Sequence, residues 1–106
     1  MLFRSRGPIA QNYSVFAHVR GPGESLWAGQ DAWPQHGAAP TSSWRPGAVF
    51  PDPYDLLLKS GTPAGQYAIE VGLYDAAGLR LRVFDAGGTP TDSDFVYLSQ
   101  IRVVTP

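Results

Sequence analysis

The sequence lacks cysteine, an excess of charge of either sign and long apolar runs. Without cysteine, disulfides and thiolate metal sites are excluded. The 8 basic and 9 acidic residues give a formal net charge of −1, which argues against a nucleic-acid surface or a polybasic membrane surface. No apolar run approaches the ~18 residues of a transmembrane helix, and no apolar region of a signal peptide follows the first residues. The 106 residues are enough for one domain with one modest core.

Long helices are also excluded, because 12 glycines and 10 prolines interrupt the chain. What remains is a series of short segments rich in β-branched and aromatic residues. The predicted strands are 13–20, 25–31, 54–58, 66–75, 79–84 and 95–104. Two hairpins are expected: the turn 21–24 joins the first two strands, and the turn 76–78 joins 66–75 to 79–84.

Alternation of apolar and polar residues predicts which side chains face the core. The predicted inward residues are Tyr13, Val15, Ala17 and Val19; Tyr67, Ile69, Val71 and Leu73; and Phe95, Tyr97, Ile101 and Val103. Strands at this spacing without helices between them predict an all-β fold, an immunoglobulin-like antiparallel β-sandwich.

The segment 63–67 resembles the tyrosine corner of immunoglobulin-like sandwiches. There, a turn leads into a strand whose first inward residue is a tyrosine, and the tyrosine hydroxyl bonds to backbone a few residues upstream. We therefore expect a structural hydrogen bond from Tyr67 rather than a catalytic role.

The segment 32–53 is a long loop with five prolines and two of the three tryptophans. Loops of this length in compact domains are often functional. Sugars bind to aromatic rings through their C–H faces and to planar polar groups through their hydroxyls. The candidate carbohydrate-binding residues are Trp33, Trp44, Asp31, His36 and Gln30. The alternative is that the tryptophans close one end of the sandwich, with indole N–H groups bonded to loop carbonyls.

Other chemistry has little support. A triad of Ser42 or Ser43 with His36 and Asp31 lacks the strand–turn–helix context of a nucleophile elbow. His18 and His36 lack metal-ligand spacing. Four aspartates could bind calcium, but turn and capping roles explain them equally well; these are Asp52, Asp55, Asp92 and Asp94. No catalytic residue, metal or cofactor is predicted.

Three stretches taken in order carry a family resemblance. They are NYSVFAHV at 12–19, QDAWPQHGAAPTSSWRPG at 30–47, and PAGQY at 63–67 with EVGLYD at 70–75 and LRL at 79–81. Together they resemble the soluble β-sandwich domain at the C-terminus of bacterial polytopic membrane glycosyltransferases, which are similar to dolichyl-phosphate-mannose–protein mannosyltransferases. The resemblance covers about residues 2–104. Ala48 departs from it, because that loop position usually carries an acid.

The resemblance implies a non-catalytic, extracytoplasmic accessory module of a membrane glycosyltransferase, which holds glycan or acceptor or acts by packing. Glycosyl transfer would belong to an upstream membrane part. The alternative is a purely structural, self-associating sandwich without a ligand. The resemblance begins in mid-strand, so residues 1–106 are interpreted as one sandwich domain that is a fragment of a longer family domain. A sandwich that lacks N-terminal strands exposes an edge and part of its core, so we expect a homodimer formed by edge pairing or strand exchange.

Overall fold

The protein is all-β, as predicted, with strands in two antiparallel sheets arranged as a sandwich. The structure is a computed structural model that describes residues 1–21 and 25–104. Its strands are β1 (Leu2–Arg4), β2 (Ser14–Arg20), β3 (Leu26–Ala32), β4 (Val49–Pro51), β5 (Gly65–Tyr74) and β6 (Val96–Val103). The larger sheet has the order β3-β2-β5-β6, and β1 pairs with β4 in the smaller one.

The core lies on one face of the four-stranded sheet. Its buried residues form two clusters, Val15, Ala17 and Val71 in the first and Val19, Ala28 and Tyr67 in the second. Two half-buried side chains, Leu56 and Ile69, pack against both clusters and make the core continuous. The predicted inward faces of β2 and β5 are thereby confirmed, because alternate residues of each strand meet in these clusters.

The first predicted hairpin is present, since β2 and β3 pair antiparallel from Val15–Ala32 to Arg20–Leu26. Its predicted turn, 21–24, falls largely outside the described residues. The predicted strand 54–58 is wrong. Its apolar residues are irregular chain, and Leu56 reaches the core without joining a sheet. A short apolar run satisfies the need for burial without requiring ladder hydrogen bonds.

The second predicted hairpin is much shorter than expected. The Asp75 N–H donates to the Leu79 carbonyl at 3.0 Å, and Tyr74 and Arg80 form an isolated bridge. No strand follows over 79–84, because β5 is already paired along 65–71 with β6. Along most of β5, pairing with β6 therefore replaces the predicted pairing with the segment 79–84.

A register shift in the β5–β6 pair moves one predicted inward residue to the outer face. Ile101 pairs with Tyr67 on the core side, whereas Tyr97 pairs with Glu70. An extra residue in β6 between these pairs reverses the alternation, as β-bulges do. The prediction that Tyr97 and Ile101 share a face is therefore wrong.

Candidate functional site

The long loop closes one end of the sandwich around a buried tryptophan. Two short 3₁₀ helices, Pro34–Gly37 and Thr41–Ser43, lead to Trp44. The Trp44 ring is 7% exposed and stacks on Phe50 with ring centroids 4.7 Å apart. Its Nε1–H donates to the Ala39 carbonyl at 2.8 Å. For Trp44, the predicted end-closing role is confirmed.

The second loop tryptophan lies apart from this stack. Trp33 is 45% exposed and precedes the first 3₁₀ helix. A sugar platform of the predicted kind needs two exposed, roughly coplanar rings. Because Trp44 is buried, Trp33 and Trp44 do not form such a platform in this structure, and carbohydrate binding by Trp44 stays a prediction.

The polar candidates divide between the two faces of the sheet. Gln30 pairs with the core residue Ala17, and its amide nitrogen lies 3.5 Å from Nδ1 of His36. Asp31 pairs with Phe16 and therefore points to the outer face. Adjacent strand residues point to opposite sides, so the Asp31 side chain points away from that of Gln30.

On the outer face, the Asp31 carboxylate joins two side chains that the sequence did not connect with it. Its Oδ1 lies 3.1 Å from His18 Nε2, and its Oδ2 accepts the Tyr74 hydroxyl at 2.9 Å. Desolvation and then the hydrogen bond to Asp31 raise the pKa of Tyr74. Asp31 therefore links β2, β3 and β5 at the surface.

The serine triad that the loop residues allowed is not assembled. The Ser43 hydroxyl donates to the Pro40 carbonyl at 2.6 Å, which is a local turn contact. The Ser42 N–H donates to Asn12 Oδ1, which ties the loop to the start of β2. His36 lies by Gln30, on the face opposite to Asp31. Among residues 1–21 and 25–104, neither Ser42 nor Ser43 forms a hydrogen bond with a histidine.

The most unusual polar feature is Asp52, which sequence reasoning assigned to turns or calcium. Its side chain is fully buried, and its Oδ1 accepts the Gln35 N–H at 2.8 Å. Its Oδ2 and the Tyr54 hydroxyl oxygen are both buried, and among the described residues neither has a hydrogen-bond partner at ordinary length and angle. Both residues line a cavity of about 130 Å³. Burial, then the hydrogen-bonding contact between the Tyr54 hydroxyl and the Asp52 side chain, and then the charge of Asp52 raise the pKa of Tyr54.

The loop backbone holds Asp52 in this position. Gln35 and His36 both have φ of 53°, in the left-handed region that non-glycine residues rarely adopt. The Gln35 amide side chain also donates to the Pro51 carbonyl at 2.8 Å. Nothing in the local sequence separates Asp52 from other loop aspartates, because its burial depends on contacts 17 residues away.

No cluster of metal-binding side chains accompanies Asp52. Among residues 1–21 and 25–104, no group of three or more His, Cys, Asp or Glu side chains could hold a metal ion. Asp94, one of the calcium candidates, instead forms an ion pair with Arg80 at 3.3 Å.

An apolar groove of about 380 Å³ lies beside the free edge of the larger sheet. Its apolar lining includes Leu2, Phe3, Leu73, Leu81, Val96 and Leu98. Among the described strands, β6 pairs only with β5, so its other edge carries free backbone groups. Val96 and Leu98 on this strand are each about half exposed, at 49% and 53%. An edge strand of this kind is a template for pairing with another strand.

Comparison of the chain with protein-family models, with curated proteins and with solved structures gave no match. In the part of the chain that the structure describes, no helix has the length and apolar character to cross a membrane.

Proposed function

We propose that this chain is a non-catalytic association module: an extracytoplasmic accessory domain of a bacterial membrane glycosyltransferase that acts by packing against a second copy of itself. The observation that carries the association is the apolar groove along the free β6 edge. The membrane context rests on the sequence resemblance. The buried Trp44 favours packing over a tryptophan sugar platform as the role of the long loop.

The sequence of β6 suits antiparallel pairing with itself. A two-fold axis perpendicular to the sheet sets two β6 edges antiparallel and keeps the core-side residues of both copies on the same face of the extended sheet. Arg102 is the only charged residue of β6. Pairing of two β6 edges therefore brings few like charges together.

The length of β6 also suits this partner. Pairing of two eight-residue edges would continue the four-stranded sheet into an eight-stranded one. It would also cover the half-exposed Val96 and Leu98 and shield the groove from water. Burial of apolar surface contributes roughly 25 cal/mol per Å², so covering these side chains adds to the new backbone hydrogen bonds.

Sedimentation velocity across a concentration series tests the association. We expect a dimer at high micromolar concentration. Val96→Lys places a charge in the groove and should shift the chain to monomer. Leu57→Lys is the matched control, because Leu57 is 88% exposed and lies outside the groove. A wild-type chain that stays monomeric, or a Leu57→Lys variant that dissociates equally, would contradict the proposal.

The membrane context has a separate test. We expect the reading frame upstream of the Met1 codon to encode apolar spans long enough to cross a membrane. An in-frame stop codon directly upstream would contradict the accessory role and leave the self-association unaffected.

A further inference from the structure

We infer that a hollow on the outer face of the larger sheet binds one uncharged sugar ring. This outer hollow has a volume of about 220 Å³. It shares no lining residue with the apolar groove beside β6, so the inference goes beyond the association proposed above and does not depend on it. The lining residues that carry the inference are Arg20, Gln66, Ala68, Glu70, Tyr97 and Gln100.

The register of three neighbouring strands creates the outer hollow. Ala68 of β5 has Arg20 of β2 as its partner on one side and Gln100 of β6 on the other. Two residues further along β5, Glu70 has Tyr97 of β6 as its partner. Alternate residues of a strand point to the same face, so Ala68 and Glu70 both point away from the core. Because Ala68 has only a methyl group, the longer side chains around it enclose an open space above the sheet.

One wall of the outer hollow is fixed by an ion pair. The Arg20 Nε–H donates to Glu70 Oε2 at 3.0 Å, which joins β2 to β5. Glu70 is 4% exposed, so this pair is held within the sheet surface rather than free in solvent. A planar guanidinium that is already held loses little conformational freedom when a ligand binds. Among the described residues that line the hollow, the acid and the base are paired with each other, which favours an uncharged ligand.

The remaining side chains identify the class of ligand. Tyr97 is 62% exposed and offers an aromatic ring, and Gln66 and Gln100 offer exposed side-chain amides. Each amide both donates and accepts hydrogen bonds, as each sugar hydroxyl does, while the C–H face of a sugar packs on an aromatic ring. An inorganic anion would make no use of the ring. A purely apolar ligand would cover the amides without forming hydrogen bonds to them.

The outer hollow differs from the carbohydrate site that the sequence predicts in the long loop. None of the five candidate residues of that prediction lines it. Its residues come from three strands and are far apart in sequence, so strand register rather than a motif brings them together.

Nuclear magnetic resonance of ¹⁵N-labelled protein tests the site directly. The backbone amide of Gln100 is the reporter, because Gln100 lines the outer hollow. Methyl α-glucoside, methyl α-mannoside and methyl β-galactoside are titrated separately, and we expect a saturable shift of the Gln100 resonance with at least one of them. Sodium sulfate, compared with sodium chloride at equal ionic strength, tests for an anion instead.

Two variants test the assigned groups. Ala68→Leu fills the hollow and should abolish the saturable shift; Ala77→Leu is its matched control, because Ala77 lies in an exposed turn outside the hollow. Tyr97→Ala removes the ring and should weaken the affinity about tenfold, whereas Tyr97→Phe keeps the ring and should bind like the wild type. Phe84→Ala is the control for loss of an exposed aromatic ring, because Phe84 is 58% exposed and lies outside the hollow.

Three results would overturn the inference. These are no saturable Gln100 shift with any of the glycosides; wild-type affinity in Ala68→Leu or in Tyr97→Ala; and a saturable shift with sulfate but with no glycoside, which indicates an anion site.

The titration is repeated in Val96→Lys, since Val96 lines the groove but not the outer hollow. Glycoside binding by this variant at wild-type affinity would separate the site from the association, and loss of binding would show that the hollow of one chain is not sufficient. A wild-type chain that stays monomeric and still binds a glycoside would contradict the association and support this inference.

Discussion

At the scale of single residues, Tyr67 illustrates a role that the sequence predicts and the structure confirms. Its hydroxyl donates to the Pro63 carbonyl at 2.6 Å, four residues upstream, and its ring is buried. Tyr67→Phe should lower the free energy of unfolding by about 1 kcal/mol or somewhat more. Urea denaturation of the wild type and the variant measures this. An unchanged midpoint in Tyr67→Phe would remove the structural role of the hydroxyl.

Trp44 is the residue on which the long loop depends. Trp44→Ala removes the stack on Phe50, the contact with Phe3 and the hydrogen bond to Ala39. The expected loss is about 3–5 kcal/mol, typical of a buried aromatic truncated to alanine. Thermal unfolding followed by circular dichroism measures it. Trp33→Ala serves as the comparison, and an equal loss there would contradict the different roles of the two rings.

The two tyrosines with raised pKa values predict a loss of stability at alkaline pH. An unfolded phenol loses its proton near pH 10, while folded Tyr54 and Tyr74 retain theirs. The unfolded state then binds fewer protons, so the free energy of unfolding decreases as pH rises above about 10. Urea midpoints between about pH 8 and pH 11 test this. The decrease should be smaller in Tyr54→Phe, and an identical decrease would contradict the assignment to Tyr54.

The sequence could not separate buried from exposed residues of one type. Trp33 and Trp44 occur in similar proline-rich surroundings, yet one is exposed and the other buried. Asp52 is flanked by prolines like an ordinary turn residue, and its burial is set by Gln35 across the loop. Gln30 and Asp31 are neighbours in sequence, and only the strand direction of β3 shows that they face opposite sides.

At the scale of elements, β2 and β5 were predictable because alternation along each strand is uninterrupted. The segments 54–58 and 79–84 were not, because a local apolar pattern does not show whether a neighbouring strand has an edge free to pair. The β5 edge is occupied by β6, which is distant in sequence. A short stretch of sequence does not reveal non-local pairing of this kind. It also does not reveal the bulge that moves Tyr97 to the outer face.

The close approach of the Phe16 ring in β2 to Gly72 in the neighbouring strand β5 leads to a prediction at the scale of elements. A Cβ at Gly72 would collide with the Phe16 ring and lie 2.8 Å from the Asp94 carbonyl oxygen. Gly72→Ala should therefore destabilise the protein by about 1–3 kcal/mol, as overpacking does. Gly7→Ala is the matched control, because nothing lies within 4 Å of its Cβ position. Chemical denaturation of both variants measures the difference, and equal stability would contradict the close approach.

The Phe16 ring makes part of the outer face of the larger sheet apolar. The ring is 1% exposed, with the Arg80 guanidinium 4.1 Å above it and Tyr74 stacked at 6.2 Å. Nearby, the buried Glu70 carboxylate is paired with Arg20 at 3.0 Å. The sheet is therefore covered on both faces, by apolar packing on one and by a layer of charged and aromatic side chains on the other.

At the scale of the whole molecule, the all-β sandwich was predictable from composition and spacing, whereas the site was not. Glycine and proline exclude long helices, and alternation defines the inner sheet face. The burial of Asp52, for example, depends on the loop, because its Oδ1 accepts the N–H of Gln35, 17 residues away. The position of Asp52 is set by tertiary contacts, and no motif in this sequence predicts them.

The larger sheet has a second free edge besides that of β6, because β3 pairs only with β2 among the described strands. If β6 of one molecule met β3 of the next, the contact would repeat in one direction and never close, and the product would be a fibril. Pairing of β6 with β6 of a second copy instead occupies both β6 edges, so this contact does not repeat beyond two molecules. Whether this protein stays dispersed or polymerises thus depends on how strongly β6 prefers its own copy.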